Sequence, residues 1–179
     1  MKFRPSQFVF LGLALATALL SGCATASKTD AMVATQQDFG RQHATSVSVN
    51  VTGGRETSAA GASQISSADF RAAIVHSIED SQLFSAVQPV GDAPYHLEVF
   101  ITRLDQPVLG FSMTVTLETN WTLTRPSDGR VLWEKAIPTT YTARAGEALV
   151  GTTRLRLANE GAARTNIEAA LKELSALQL

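Results

Sequence analysis

The chain reads as an α+β domain of two layers, an antiparallel sheet of four to five strands with two helices on one face. Three observations predict it. Strict apolar/polar alternation runs through 45–52, and alternation interrupted at Thr119 runs through 111–125, the period of strands with one wet face. Pro126-Ser127-Asp128-Gly129 then makes a tight turn that folds the second of these into a hairpin. Two stretches of helical period, about 66–83 and 152–177, bracket the remaining strands, so both helices can lie on one side of a single sheet.

In order along the chain, Val47, Val49 and Val51 share one face of the first strand, with Ser46, Ser48 and Asn50 on the other. Residues 53–66 are rich in Gly, Ser and Ala and read as a long connection. Ser66 and Asp69 fit a capping box, and Phe70, Ile74 and Ile78 give the following helix its apolar stripe. A short strand over 84–90 belongs at an edge, because Pro89 is unsuited to a central position. After the turn Gly91-Asp92-Ala93-Pro94, the next strand carries Tyr95, Leu97, Val99 and Ile101 on one face. In the strand over 111–125, Phe111, Met113, Val115, Leu117, Trp121 and Leu123 point inward and a row of Thr, Ser, Asn and Glu points outward. Arg130 to Ala143 returns with Val131, Trp133 and Ile137 toward the core, and Trp133 is expected beside Trp121. In the last helix Ala163, Ile167, Ala170, Leu174 and Leu177 form the buried stripe, and Arg156, Glu160 and Arg164 form a surface ladder at four-residue spacing.

The N-terminus has the parts of an export signal. Lys2 and Arg4 precede an apolar run from Phe8 to Leu20, and no acid occurs before Asp30. The run is too short to span a bilayer, which needs about 20 residues. It ends in Leu20-Ser21-Gly22-Cys23, which contains the only cysteine of the chain. This tetrapeptide resembles the lipobox of bacterial lipoprotein precursors. The resemblance implies that residues 1–22 are a signal peptide removed on maturation and that Cys23 becomes a lipidated first residue, carrying diacylglyceryl and a further acyl chain such as palmitate. One acyl chain holds a protein to a membrane only marginally, whereas several anchor it stably. Ala24 stands where an Asp in this family commonly signals inner-membrane retention, so the resemblance implies the periplasmic face of the outer membrane. Residues 23–44 then read as the lipidated cysteine and a flexible tether, and 45–179 as one periplasmic domain. A coil of that length spans about 25 Å on average.

Composition narrows the function. Without residues 1–22 the chain has 157 residues, with 13 basic and 16 acidic side chains and a formal charge of −3. That size suits one domain, and no basic excess speaks for nucleic acid. A lone cysteine permits no disulfide framework or Cys-based metal site. His43, His76 and His96 lie far apart without the spacing of metal ligands, and neither a nucleophile elbow nor a P-loop is present. Glu98 and Glu118 are the carboxylates placed to share a wet sheet face, but a flat Ser/Thr surface offers no cleft. No enzymatic activity, cofactor or metal is expected.

Two loops carry the candidate contact residues. Val108 and Leu109 precede Phe111, and Leu149 and Val150 precede the last helix. The hairpin brings both loops to one end of the sheet. Together they form either an apolar docking site for an envelope protein or acyl chains, or a cap on the bottom of the core.

Beyond the lipobox, residues 45–179 loosely resemble small periplasmic lipoproteins that assist transport. These include auxiliary lipoproteins of ABC-type transporters and the lipoprotein that plugs the lipopolysaccharide translocon. The resemblance rests on element order, Phe84-Ser85-Ala86-Val87, Gly129-Arg130-Val131-Leu132-Trp133 and Ala162-Ala163-Arg164-Thr165-Asn166-Ile167. It implies a non-enzymatic accessory of an envelope transport or assembly system, held to the membrane by lipid and bound to an envelope protein. The alternative is a regulator of cell-wall synthesis that activates a penicillin-binding protein.

Overall fold

A computed structural model describes residues 25–35, 42–58 and 61–179. The signal segment, Cys23, Ala24 and residues 36–41 of the expected tether lie outside those residues. The chain runs α1 (Thr29–Met32), β1 (His43–Thr52), α2 (Ser67–Ser81), β2 (Phe84–Gln88), β3 (Tyr95–Asp105), β4 (Met113–Arg125), β5 (Arg130–Ala143) and α3 (Gly151–Ser175). The two-layer α+β architecture is as the alternation predicts, with α2 and α3 on one face of a five-stranded sheet.

The sheet is mixed rather than purely antiparallel. Its order is β2-β1-β3-β4-β5, and β1 runs parallel to both of its neighbours. Helix α2 provides the crossover from β1 to β2. The step from β2 to β3 is unusual, because parallel strands normally need a connection of about a dozen residues to travel back. Here no return is needed. Gln88 ends β2 level with Ser48, and Tyr95 starts β3 level with Val47 on the other side of β1. Residues 89–94 therefore only step across one strand, a distance of about 10 Å. Strand β2 holds the first half of β1, and β3 holds the second.

Helix α2 starts as its sequence dictates. The Ser66 hydroxyl accepts from the Asp69 amide at 3.0 Å and donates to the Asp69 carboxylate at 2.6 Å. Gln82 ends the helix in the left-handed region, at φ 53°. Phe70 meets Trp121 edge-on, with ring centroids 6.4 Å apart, in the middle of the core. The buried Asn166 of α3 accepts from Thr119 Oγ1 at 2.8 Å and Trp121 Nε1 at 3.1 Å and donates to the Ile137 carbonyl at 2.8 Å, so one amide pins α3 to β4 and β5. Gly161 lets α3 lie against the Tyr141 ring, where a Cβ would overlap it.

Four details differ from the sequence reading. The β4/β5 ladder shifts register between Leu123 and Thr124, which puts Val131 opposite Thr124 on the outer face, largely exposed. A bulge of this kind inverts the inside/outside assignment of every residue beyond it. Trp121 lies opposite Lys135, and Trp133 lies opposite Leu123. Phe111 precedes β4 and is exposed. The fourth difference is the expected tether, part of which is folded.

Residues 27–35 form a strap in the groove between α2 and α3. Met32 is fully buried and Ala34 nearly so. The Lys28 amide donates to Glu160 Oε1 at 2.9 Å, Arg164 donates to the Ala31 carbonyl at 3.1 Å, the Ala34 amide donates to Ser77 Oγ at 2.9 Å, and the Thr35 amide donates to Glu168 Oε1 at 3.1 Å. The Arg156-Glu160-Arg164 ladder is thus a seat for the strap and not a solvated face. Arg156 pairs with Glu160 at 2.7 Å, and the Glu160 side chain is only 3% exposed. Helical period alone puts these charges outside, because nothing in local pattern signals a further segment lying over them.

Candidate functional site

The β3–β4 loop (106–112) and the β5–α3 loop (144–150) meet at one end of the sheet. Strand pairing brings them there, since Met113 at the start of β4 sits opposite Ala143 at the end of β5. Arg154, in the first turn of α3, ties them together. Its Nη1 donates to the Ala148 and Leu149 carbonyls at 2.6 and 3.0 Å, and its Nη2 reaches the Gly110 carbonyl at 3.4 Å. One guanidinium therefore fixes the spacing of two loop apices. A planar donor with five N–H groups suits this better than a point charge.

The tip they form is apolar and wet. Val108 is 92% exposed, Leu109 87%, Phe111 89%, Leu149 98% and Val150 54%. None of the five is among the buried core residues. Single exposed apolar residues are ordinary on a protein surface; here five are exposed together at one end of the sheet. The base of the tip is cross-linked by side-chain hydrogen bonds. Gln106 donates to the Ser63 carbonyl at 2.7 Å and to Asn159 Oδ1 at 2.8 Å, and Asn159 donates to the same Ser63 carbonyl at 3.0 Å. Gln64 in turn donates to Gln106 Oε1 at 3.1 Å. The strap begins beside this polar knot, where the Ser27 amide approaches the Gln64 carbonyl at 3.4 Å.

The outer face of the sheet holds a second polar group that the sequence did not bring together. Ser48 Oγ lies 2.9 Å from His96 Nδ1, and His96 Nε2 lies 3.2 Å from Glu98 Oε2. Asn50 Nδ2 donates to both Glu98 oxygens at 3.0 Å. With Nε2–H given to Glu98, Nδ1 accepts the Ser48 proton, an order of groups that activates a nucleophile elsewhere. Here Ser48 is 1% exposed, so no substrate carbon can approach its oxygen. The network is a cross-strand brace. Period-two alternation placed each residue on this face, but only the parallel β1/β3 register makes them neighbours. Glu118 is not part of it, since it faces Arg103. Among the described residues no three His, Cys, Asp or Glu side chains are placed to hold a metal. No helix among them is long and apolar enough to cross a membrane.

No family model matches the chain, and no curated protein matches it. Solved structures do. A protein of Xanthomonas campestris described under the family model DUF330 superposes with a TM-score of 0.63 at 16% identity, covering 85% of this chain and 95% of its own. A minor lipoprotein of Acinetobacter baumannii gives a TM-score of 0.53 at 9% identity, covering 74% of this chain and 93% of its own. The PelC dodecamer of Paraburkholderia phytofirmans gives 0.51 at 16% identity, covering 82% of this chain and 95% of its own. At such identities the likeness is one of fold.

Proposed function

We propose that this protein is a lipid-anchored lipoprotein of the bacterial cell envelope, held at Cys23 to the periplasmic face of the outer membrane. It acts there as a non-enzymatic accessory of a transport or assembly system. The observation that carries the proposal is the tip of Val108, Leu109, Phe111, Leu149 and Val150, five exposed apolar side chains set at fixed spacing by Arg154. Fully burying side chains of this size contributes about 1.5–3 kcal/mol each, against the losses of association. The lipobox, together with a fold also found in a minor lipoprotein, supports the envelope setting. A regulator that must reach through the cell wall needs a longer leash than this chain has ahead of its strap. From Cys23 to Ser27 the extended backbone covers about 14 Å.

Photo-crosslinking in intact cells from positions 109 and 149 tests the reading. Adducts with a membrane-embedded subunit of a transport or assembly machine are expected. They should be lost in a variant with Val108, Leu109, Leu149 and Val150 all changed to Ser, while its thermal melt stays cooperative. Adducts with a transglycosylase instead would move the protein to cell-wall regulation.

A further inference from the structure

We infer that the apolar tip seats in the same bilayer that carries the Cys23 lipid, with the acyl–headgroup boundary as its occupant. This rests on the lipidation proposed above. The argument comes from the direction of the strap. Lys28 bonds to Glu160, Ala31 to Arg164 and Thr35 to Glu168, so the strap runs alongside α3 in the same direction as the helix. Going backward along the strap therefore leads toward the first turn of α3, which is the base of the tip. From Glu160 to Gly151 the helix rises about 14 Å. From Lys28 to Cys23 the chain reaches about 17 Å. The lipid attachment point can therefore come level with the tip, and a domain held so closely presents that end to its membrane.

The chemistry of the tip fits lipid. The β3–β4 loop has no charged residue from Gln106 to Ser112, and the charges of the β5–α3 loop, Arg144 and Glu147, come before its apolar Leu149 and Val150. Its apolar side chains project from two loop apices, as suits insertion into an interface that shapes itself around them. Through Nη1, Arg154 pairs the Ala148 and Leu149 carbonyls, which would otherwise enter the interface unpaired. A strongly held lipid and a shallow wedge make two attachment points, which together fix orientation where a lipid on a loose tether fixes only distance.

The test uses the full acylated protein reconstituted in vesicles of phosphatidylethanolamine and phosphatidylglycerol, with no other protein present. Acylation consumes the only native thiol. A cysteine introduced by Leu109→Cys can then carry a single polarity-sensitive fluorophore, and Asp92→Cys, in the turn at the opposite end of β3, serves as the control. The expected result is blue-shifted emission at 109, with quenching by spin-labelled lipid several-fold stronger than at 92. Equal, weak quenching at both positions, with mass spectrometry confirming acyl chains on Cys23, would overturn the inference and make the tip a protein-docking surface. A Cys23 that carries no lipid in cells would overturn the lipoprotein reading itself, and this inference with it.

Discussion

Removing the carboxylate of Glu160 should loosen the strap and destabilise the whole domain. Glu160 Oε1 accepts from Arg156 Nη1 at 2.7 Å and from the Lys28 amide at 2.9 Å. Glu160→Ala strands the Arg156 guanidinium, whose side chain is 15% exposed. Deleting one partner of a buried pair costs about 3–5 kcal/mol, because the other charge remains desolvated. Arg156 keeps a narrow path to water, so the lower end applies, about 3 kcal/mol. Glu160→Gln retains an acceptor for both donors and loses only the charge, with an expected cost of about 1 kcal/mol. Urea unfolding gives the stability difference, provided the slope with denaturant is unchanged. Hydrogen exchange then locates it: amides of 28–35 should lose protection first, ahead of β4. If the Ala variant stays within about 0.5 kcal/mol of the parent, as an ordinary surface substitution would, Glu160 is not the seat of the strap.

Two further outcomes follow from the packing. Gly161→Ala should destabilise by about 1–2 kcal/mol although Ala favours helix, because the clash with Tyr141 outweighs the propensity gain. Denaturation of the same substitution in a Tyr141→Ala background checks this, and there it should become neutral or stabilising. Arg154→Ala should cost about 1–2 kcal/mol and raise hydrogen exchange in 106–112 and 144–150 together. Exchange rising in one loop alone would mean that the guanidinium does not couple them.

Much of the fold was written in local pattern. Alternation located β1, β3 and β4, the Ser66/Asp69 box located the start of α2, and the hairpin turn was enough to bring the two tip loops together. The rest depended on relations between distant residues. The parallel β1/β3 pairing is invisible locally, because it follows from the stagger of β2 and β3 along β1. The Val131 reversal required a bulge that no turn residue signals. The strap was the largest gap. Its composition is that of a linker, with one Met and one Val among small and polar residues, and it is ordered by side chains of α2 and α3. Charges at four-residue spacing look the same in sequence whether water or another segment lies over them.

The seat of the strap also sets an order of events. Lys28 and Glu160 are 132 positions apart, and Thr35 and Glu168 are 133 apart. A chain that emerges N-terminus first can hold its leading segment only against α2 until its final helix has formed. The β3–β4–β5 meander closes through short turns and can assemble early, whereas contacts at such separation come late. The first part of the molecule to appear is thus among the last to be set down. Until then the leading peptide stays free for any enzyme that must process it.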